Sequence, residues 1–472
     1  MVPGASAAES PYKIDTRENI IDSSRTLAYD LIKFYNGNES GEIPGLLPGP
    51  PTEENGDYYW WEGGVYWATY IDYFRLTGDT TYNDLVTQGM LHQTGPNNDF
   101  MPPNATVSMG NDDQCFWAIA AMSAAENEFP NPPSGSPQWL DLAKAVFFTQ
   151  ADPSRNDDTC GGGLRWQILP FNVGYNFKNS ASNACFFNLA ARLARFTGND
   201  TYAAHAASTY DWLTQVGFID NQTHAVYDGG HTEKNCTDIN KAQFSYNSAF
   251  LVEGAAFMYN LTTNNEWKTR TDALVNATLS FFFPDDVAFE LPCEGKRNRC
   301  TTDMYAFKGL THRGLAAAAQ VAPYTAEVIL PVLKTSAKAA VGQCTGGDSG
   351  RACGFYWSEG EYVEPESSTG VGEQMSVLLA VTGLLVDGAA VGPVTADTKT
   401  TAGGGSGTEG AGSGNGTSTA GGGGGGGAGG SSTTGGSSSS TETAKSAAAE
   451  QARVGGVLIA AVVGLGVWVV SL

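Results

Sequence analysis

Apolar residues recur three or four positions apart along most of residues 17–387, the spacing of helices with a buried face. Twelve segments carry the pattern: about 17–37, 63–76, 80–94, 113–128, 137–150, 181–196, 200–217, 243–262, 265–283, 303–320, 324–341 and 370–387. The links between them alternate in length. Short turns join the second to the third, the fourth to the fifth, and so on. Long loops, 38–62, 95–112, 151–180, 218–242, 284–302 and 342–369, join the others. One short turn repeats: Arg75-Leu76-Thr77-Gly78-Asp79-Thr80-Thr81-Tyr82 returns as Arg195-Phe196-Thr197-Gly198-Asn199-Asp200-Thr201-Tyr202, and more loosely as Tyr259-Asn260-Leu261-Thr262-Thr263-Asn264-Asn265-Glu266-Trp267. In each copy Gly or Asn can close one helix in the left-handed conformation, and Asp or Thr can cap the next. The repeating unit is thus a helix hairpin of roughly 60 residues.

Twelve helices with alternating links predict an all-α toroid of six hairpins. Helices entered from long loops form the inner ring, and the six long loops emerge on one face to build a cleft. A helical chain in two domains is the alternative arrangement, although no linker is visible inside 17–387.

Charge narrows the partners. Asp and Glu number 49 against 26 Lys and Arg, a net charge of −23. So acidic a chain repels phosphate backbones, and no nucleic-acid partner is expected. The eight cysteines form no CxxC pair and the five histidines are scattered, so neither a metal site nor a cofactor is expected. Sequons at Asn38, Asn104, Asn199, Asn221, Asn235, Asn260, Asn276 and Asn415, with an even cysteine count, point to a secreted, oxidised, glycosylated product. Cys293/Cys300 and Cys344/Cys353 read as small loop staples. Cys115 with Cys185 and Cys160 with Cys236 is the pairing expected for the rest, though spacing alone fixes no connectivity.

The long loops carry rings and planar amides: Trp60 and Trp61 end the first, Arg165 and Trp166 sit in the third, and Tyr246 and Asn247 follow the fourth. Rings offer a face to a pyranose and amides bond its hydroxyls. Any one of these rings serves equally well as packing; the set on one face favours sugar binding. Asn111-Asp112-Asp113-Gln114 ends the second loop. Asn111 is expected to cap the helix that follows, leaving two acids in its first turn, where the helix dipole favours them. The pair can be a cap and nothing more. It can also be the two carboxyls of a glycosidase, one protonating the leaving oxygen and one attacking or activating water.

Taken together, Asn111-Asp112-Asp113-Gln114, Gly161-Gly162-Gly163-Leu164-Arg165-Trp166, Asn179-Ser180-Ala181-Ser182-Asn183, Tyr246-Asn247 and Phe307-Lys308-Gly309 resemble glycoside hydrolase family 76, in its fungal, glycosylphosphatidylinositol (GPI)-tailed cell-wall form. The resemblance runs from about Asp15 to Gly388. It implies an (α/α)6 barrel and a retaining endo-1,6-α-mannosidase with Asp112 as nucleophile and Asp113 as general acid/base. The substrate-binding residues it implies are Trp60, Trp61, Asn111, Arg165, Trp166, Asn179, Asn183, Tyr246, Asn247, Phe307 and Lys308. It further implies an α-1,6-mannan or GPI-glycan substrate and transfer to a β-glucan acceptor during wall assembly. Where bacterial members follow the Tyr with Asn-Gln-Gly, this chain has Asn247-Ser248-Ala249. A wall lectin that keeps the cleft without catalysis is the rival reading.

The ends complete the expected organisation. Residues 1–14 lack the apolar core of a signal peptide, which is expected upstream. Residues 15–390 form the catalytic domain. Residues 391–446 are a Gly/Ser/Thr-rich stalk, and 447–472 have the small-residue, spacer and apolar-tail layout of a GPI-attachment signal. The expected location is the cell surface, membrane-anchored or in the wall.

Overall fold

The computed structural model describes residues 10–51, 56–296, 299–363, 370–386 and 392–397, all within one unit, Met1–Ser406. The part of the expected stalk beyond 397, the expected attachment signal and the first nine residues lie outside the described residues. The helices are α1 (Arg17–Ile32), α2 (Trp60–Thr77), α3 (Asn83–His92), the single turn α4 (Pro103–Thr106), α5 (Asn111–Glu126), α6 (Trp139–Ala151), α7 (Ser180–Thr197), α8 (Asp200–Val216), α9 (Ser245–Thr262), α10 (Asn265–Phe282), α11 (Phe307–Val321), α12 (Ala326–Gly342) and α13 (Val371–Gly383).

They form an (α/α)6 barrel. The inner ring runs α2, α5, α7, α9, α11, α13 and closes back on α2; α1, α3, α6, α8, α10 and α12 pack outside it. Sequence composition separates the rings. In inner α5 every residue except Asp113 is buried, whereas outer α8 buries only Tyr202, Ala206, Thr209, Tyr210, Trp212 and Leu213, one stripe facing inward. Every inner helix is entered from a long loop, so six helix N-termini meet at one end of the barrel, here called the mouth.

The repeated turn closes the opposite end, the base. Gly78 and Gly198 end α2 and α7 with φ of 74° and 66°, and Thr263 ends α9 at 52°. The Asn199 side chain then caps α8 and Asn264 caps α10. Arg75 and Arg195, first residues of two copies, reach across the base to the carbonyls of a strap, residues 392–397. Arg75 donates to Gly392, and Arg195 donates to Pro393 (2.9 Å) and Val394 (3.3 Å). The Val394 N–H donates to the last carbonyl of α5, Glu126.

Beneath the strap lies a buried ion network drawn from five inner helices. Arg192 pairs with Glu126 (2.5 Å) and Glu253 (3.6 Å); Arg313 pairs with Asp72 (2.6 Å); both guanidiniums donate to Ser123.

Helix boundaries shift by a few residues from the sequence pattern, most at α1 and α11, and one element is new. α1 stops at Ile32, where the predicted segment runs to 37. The segment predicted to start at 303 opens with a 3-10 turn, Asp303–Ala306, before α11. A two-stranded antiparallel ribbon, β1 (Phe177–Asn179) with β2 (Gly229–His231), is too short for a periodic signal. All eight cysteines are paired as expected: Cys115–Cys185, Cys160–Cys236, Cys293–Cys300 and Cys344–Cys353. The first staples α5 to α7; the others lock the mouth loops.

Candidate active site

α5 opens at the mouth with Gly110 as its N-cap, not Asn111. Asn111 is the first helical residue and is buried. Its amide donates to the Arg165 carbonyl (2.8 Å) and accepts from Arg155, and its N–H donates to the Trp166 carbonyl (2.8 Å). Asn111 therefore clips the third loop to α5. The missing Cβ at Gly110 has a consequence for the acids. Asp113 folds back so that its Oδ2 accepts the Gly110 N–H at 2.6 Å, satisfying one of the orphan donors of the helix end. A side chain at 110 would run into Asp112 Oδ1 and come within 3.3 Å of Asp113 Oδ2. Both carboxylates thus crowd onto one point of the loop.

Asp112 is held by α7. Asn179, the cap of α7, accepts from the Ser182 N–H through its Oδ1 and donates from Nδ2 to Asp112 Oδ2 at 3.0 Å. Asp112 Oδ1 accepts the Asp113 N–H at 3.0 Å. These two donors favour the ionised form. Burial opposes them and leaves the Asp112 carboxyl above the usual range. Burial raises Asp113 well above it, and the Asp112 charge pushes it further. One helix end therefore supplies two adjacent carboxyls, of which Asp113 holds its proton more tightly.

Two further acids complete the site. Asp228, beside β2, comes next to Asn179 because Ser180 donates its N–H to the Asp228 carbonyl (2.7 Å). Asp303, in the turn before α11, accepts from the Trp61 indole N–H (3.0 Å). Burial, with the charge of Asp112, pushes each up to about 6. Among the described residues, no lysine or arginine is ion-paired with any of these four carboxyls. Asp112 and Asp113 lie in the first turn of α5, where the helix dipole favours negative charge.

Below the acids lies a floor of rings. Phe116, one turn into α5, contacts Trp61 (4.7 Å between centroids) and Tyr246 (6.2 Å), and Tyr246 contacts Phe307 (4.2 Å). At the rim, Trp166 rests on Gly174 and remains 38% exposed.

Of the residues expected to bind sugar, the structure therefore brings Trp61, Tyr246 and Asn179 to the carboxylates and leaves Trp166 open at the rim. Asn247 is buried beside Tyr246, with neither amide atom bonded to the protein. The others are scaffold. Trp60 stacks on Trp117 and donates to Gln93. Phe307 is buried behind Tyr246. Arg165 is tied to Asp157 (2.6 Å) and the Tyr175 carbonyl. Asn183 brackets Leu164, accepting its N–H and donating to its carbonyl. Lys308 is buried against Glu294 (2.6 Å) and the Phe355 carbonyl. Asp228 and Asp303 did not emerge from the sequence. Asp303 carried a signal nonetheless: like Asp112, it ends a long loop at the entry to an inner helix.

Lys178 has no direct role in the cleft but shapes the third loop. Its buried ammonium sits among five acceptors, the carbonyls of Asp157, Thr159, Gly162 and Gly163 and Asp157 Oδ1, all at 2.7–3.2 Å, over which its three hydrogens are shared. This fixes the backbone on either side of Cys160 and sets the next residue, Asn179, against Asp112.

An (α/α)6 barrel with paired carboxyls and a floor of rings at the mouth has the build of a glycoside hydrolase. The chain belongs to glycosyl hydrolase family 76, whose description matches residues 19–397. It is 44% identical over 367 residues to the mannan endo-1,6-alpha-mannosidase DCW1 of Saccharomyces cerevisiae, an alignment covering 77% of this chain and 79% of that protein. Its fold is similar to crystalline Dfg5 from Chaetomium thermophilum in complex with glucosamine, at 60% identity and a TM-score of 0.81, covering 82% of this chain and 95% of that one. The α-1,6-mannanase GH76A of Salegentibacter, solved as an inactive variant in complex with α-1,6-mannotriose, shares the fold at 16% identity and a TM-score of 0.61, covering 78% and 99%.

Proposed function

We propose that this chain is a retaining endo-acting enzyme on α-1,6-linked mannose chains, using Asp112 as nucleophile and Asp113 as acid/base. The observation that carries the reading is the adjacent pair at the start of α5, with Asp113 the better proton holder. The names of the fungal relatives support the substrate class.

In the first step an Asp112 oxygen attacks the anomeric carbon. The glycosidic C–O bond breaks, and the leaving oxygen takes the proton of Asp113. The Gly110 N–H holds Asp113 Oδ2 as an acceptor, so the proton belongs on Oδ1. Asn179 and the Asp113 N–H keep Asp112 ionised and aimed. In the second step Asp113 takes a proton from the incoming hydroxyl, whose oxygen displaces Asp112 from the anomeric carbon. Water as acceptor gives hydrolysis; a sugar hydroxyl gives transfer.

We favour transfer of a GPI-linked glycan to wall β-glucan, at a cell surface reached through the secretory pathway and held by a GPI anchor. Four disulfides suit that route. The glycan of a GPI anchor carries glucosamine, the sugar bound by the Chaetomium protein, and its ammonium suits a mouth whose four acids pair with no described lysine or arginine.

The test incubates purified protein with an α-1,6-mannotetraose, with and without a β-1,3-gluco-oligosaccharide, and follows the first anomer by NMR. Retention, loss of product in Asp113→Asn and a mixed-sugar product with the glucan are expected. An inverted first product removes the mechanism. Binding without turnover by the wild type would instead favour the lectin.

A further inference from the structure

Among the described residues, four of the ten exposed large apolar side chains gather at one point of the rim: Val107 (60% exposed), Trp166 (38%), Phe171 (72%) and Val173 (78%). The stretch Trp166–Gly174 contains no charged residue, in a chain with a net charge of −23. The exposure is built in. The Asn172 amide donates to the Val107 carbonyl (3.0 Å) and to Gln167 Oε1 (3.0 Å), and backbone turns close from Asn172 to Leu169 and from Tyr175 to Asn172. These bonds pin Phe171 and Val173, on either side of Asn172, next to Val107. An apolar patch held outward on a rigid loop calls for a cover.

A cover of suitable chemistry starts three residues away. Asn104-Ala105-Thr106 is a sequon on α4, and Asn104 is exposed. Val107 follows at i+3, the spacing that puts two side chains on the same face of a helical turn, about 5–6 Å apart. An N-acetylglucosamine is uncharged and presents a C–H face and an acetyl methyl, which stack on a phenyl ring and pack against valine.

We propose that Asn104 is N-glycosylated and that the first sugars of its glycan lie over Val107, Phe171 and Val173, roofing the rim of the cleft. The inference rests on the secretory route proposed above and extends it to a particular site with a structural role. The same contact places a bulky, neutral group beside Trp166, so the mouth is narrowed on the side of α5.

The experiment uses the full chain secreted from a eukaryotic host. Peptide mass spectrometry reads occupancy at Asn104 and at the exposed sequons Asn38 and Asn221. Limited chymotrypsin digestion then reads cleavage after Phe171, before and after enzymatic deglycosylation and in Asn104→Gln. Occupancy at Asn104 is expected, with cleavage several-fold faster once the glycan is gone. Removing the glycan should also lower the Tm by about 1–2 °C in the wild type and leave it unchanged in a Phe171→Ser background, which separates stacking from simple shielding. Occupancy at Asn38 or Asn221 with Asn104 bare overturns the inference while the secretory reading stands; no occupancy anywhere overturns both. An occupied Asn104 whose removal changes neither cleavage nor Tm, or shifts Tm equally in both backgrounds, overturns the roof.

Discussion

The two ends of the barrel are made from the same kinds of residue and treat charge in opposite ways. At the base, Asp72, Glu126 and Glu253 face Arg192 and Arg313, and a strap covers them. At the mouth, Asp112, Asp113, Asp228 and Asp303 share a cleft in which no described lysine or arginine pairs with them; burial pushes Asp112, Asp228 and Asp303 up to about 6 and raises Asp113 well above its ordinary value. Ion pairing at the base fixes the ring of helices. Its absence at the mouth keeps carboxyls basic enough to trade protons near neutral pH. Unpaired acids cost stability, and the mouth accepts that cost where chemistry requires it.

The comparison can be broken at either end. The largest effect is expected from the pair itself. Asp112→Asn should reduce turnover of α-1,6-mannan oligosaccharides on the order of 10⁴-fold or more, and the double Asn variant should lose little beyond it, because the two residues act as a unit. Thermal unfolding, measured alongside, should show both variants at least as stable as the wild type.

The base should respond in the reverse sense. Arg192→Met leaves Glu126 and Glu253 buried without their shared cation. It should destabilise the fold by about 3–5 kcal/mol in urea unfolding, while kcat of the protein still folded at 25 °C is retained.

Asn179→Ala removes a donor from Asp112 and a cap from α7. The lost charge-assisted bond should move the acid limb of kcat/KM up by about one pH unit, toward neutrality. An unchanged limb with lowered stability would reduce Asn179 to a cap.

Asp303→Asn should stabilise. The folded carboxyl binds its proton up to about pH 6, against 3.8 for the ordinary group. The folded state therefore holds more protons between those values, and wild-type stability falls as pH rises through that window. The asparagine should gain up to about 3 kcal/mol at pH 7.5 and nothing at pH 3, measured by unfolding at both. The smallest effect belongs to the strap: Arg195→Ala should cost about 0.5–1.5 kcal/mol and speed hydrogen exchange at the Val394 amide.

The ring was legible because two independent periods agree, the three-to-four-residue spacing inside helices and the alternation of link lengths between them. Even Arg75 and Arg195, which drew notice only as parts of a repeated turn, hold equivalent positions at the base. The site was legible in part. Asp112 and Asp113 share one short motif, so their adjacency survives in the linear chain. Direction does not. Asn111, Asn183, Arg165 and Lys308 are the right kinds of residue for a sugar, but each turns into the scaffold, because buried backbone carbonyls, N–H groups and acids had the first demand on them. Asp228 is an ordinary loop acid until the ribbon β1–β2 brings it to α5, and Asp303, which shares with Asp112 a place at the entry to an inner helix, reaches α5 only when the ring closes.

The strap sets a direction as well as a seal. α5 is 16 residues long, about 24 Å, with the carboxylates at its first turn and Val394 bonded to its last residue. The chain therefore leaves the barrel from the end remote from the cleft.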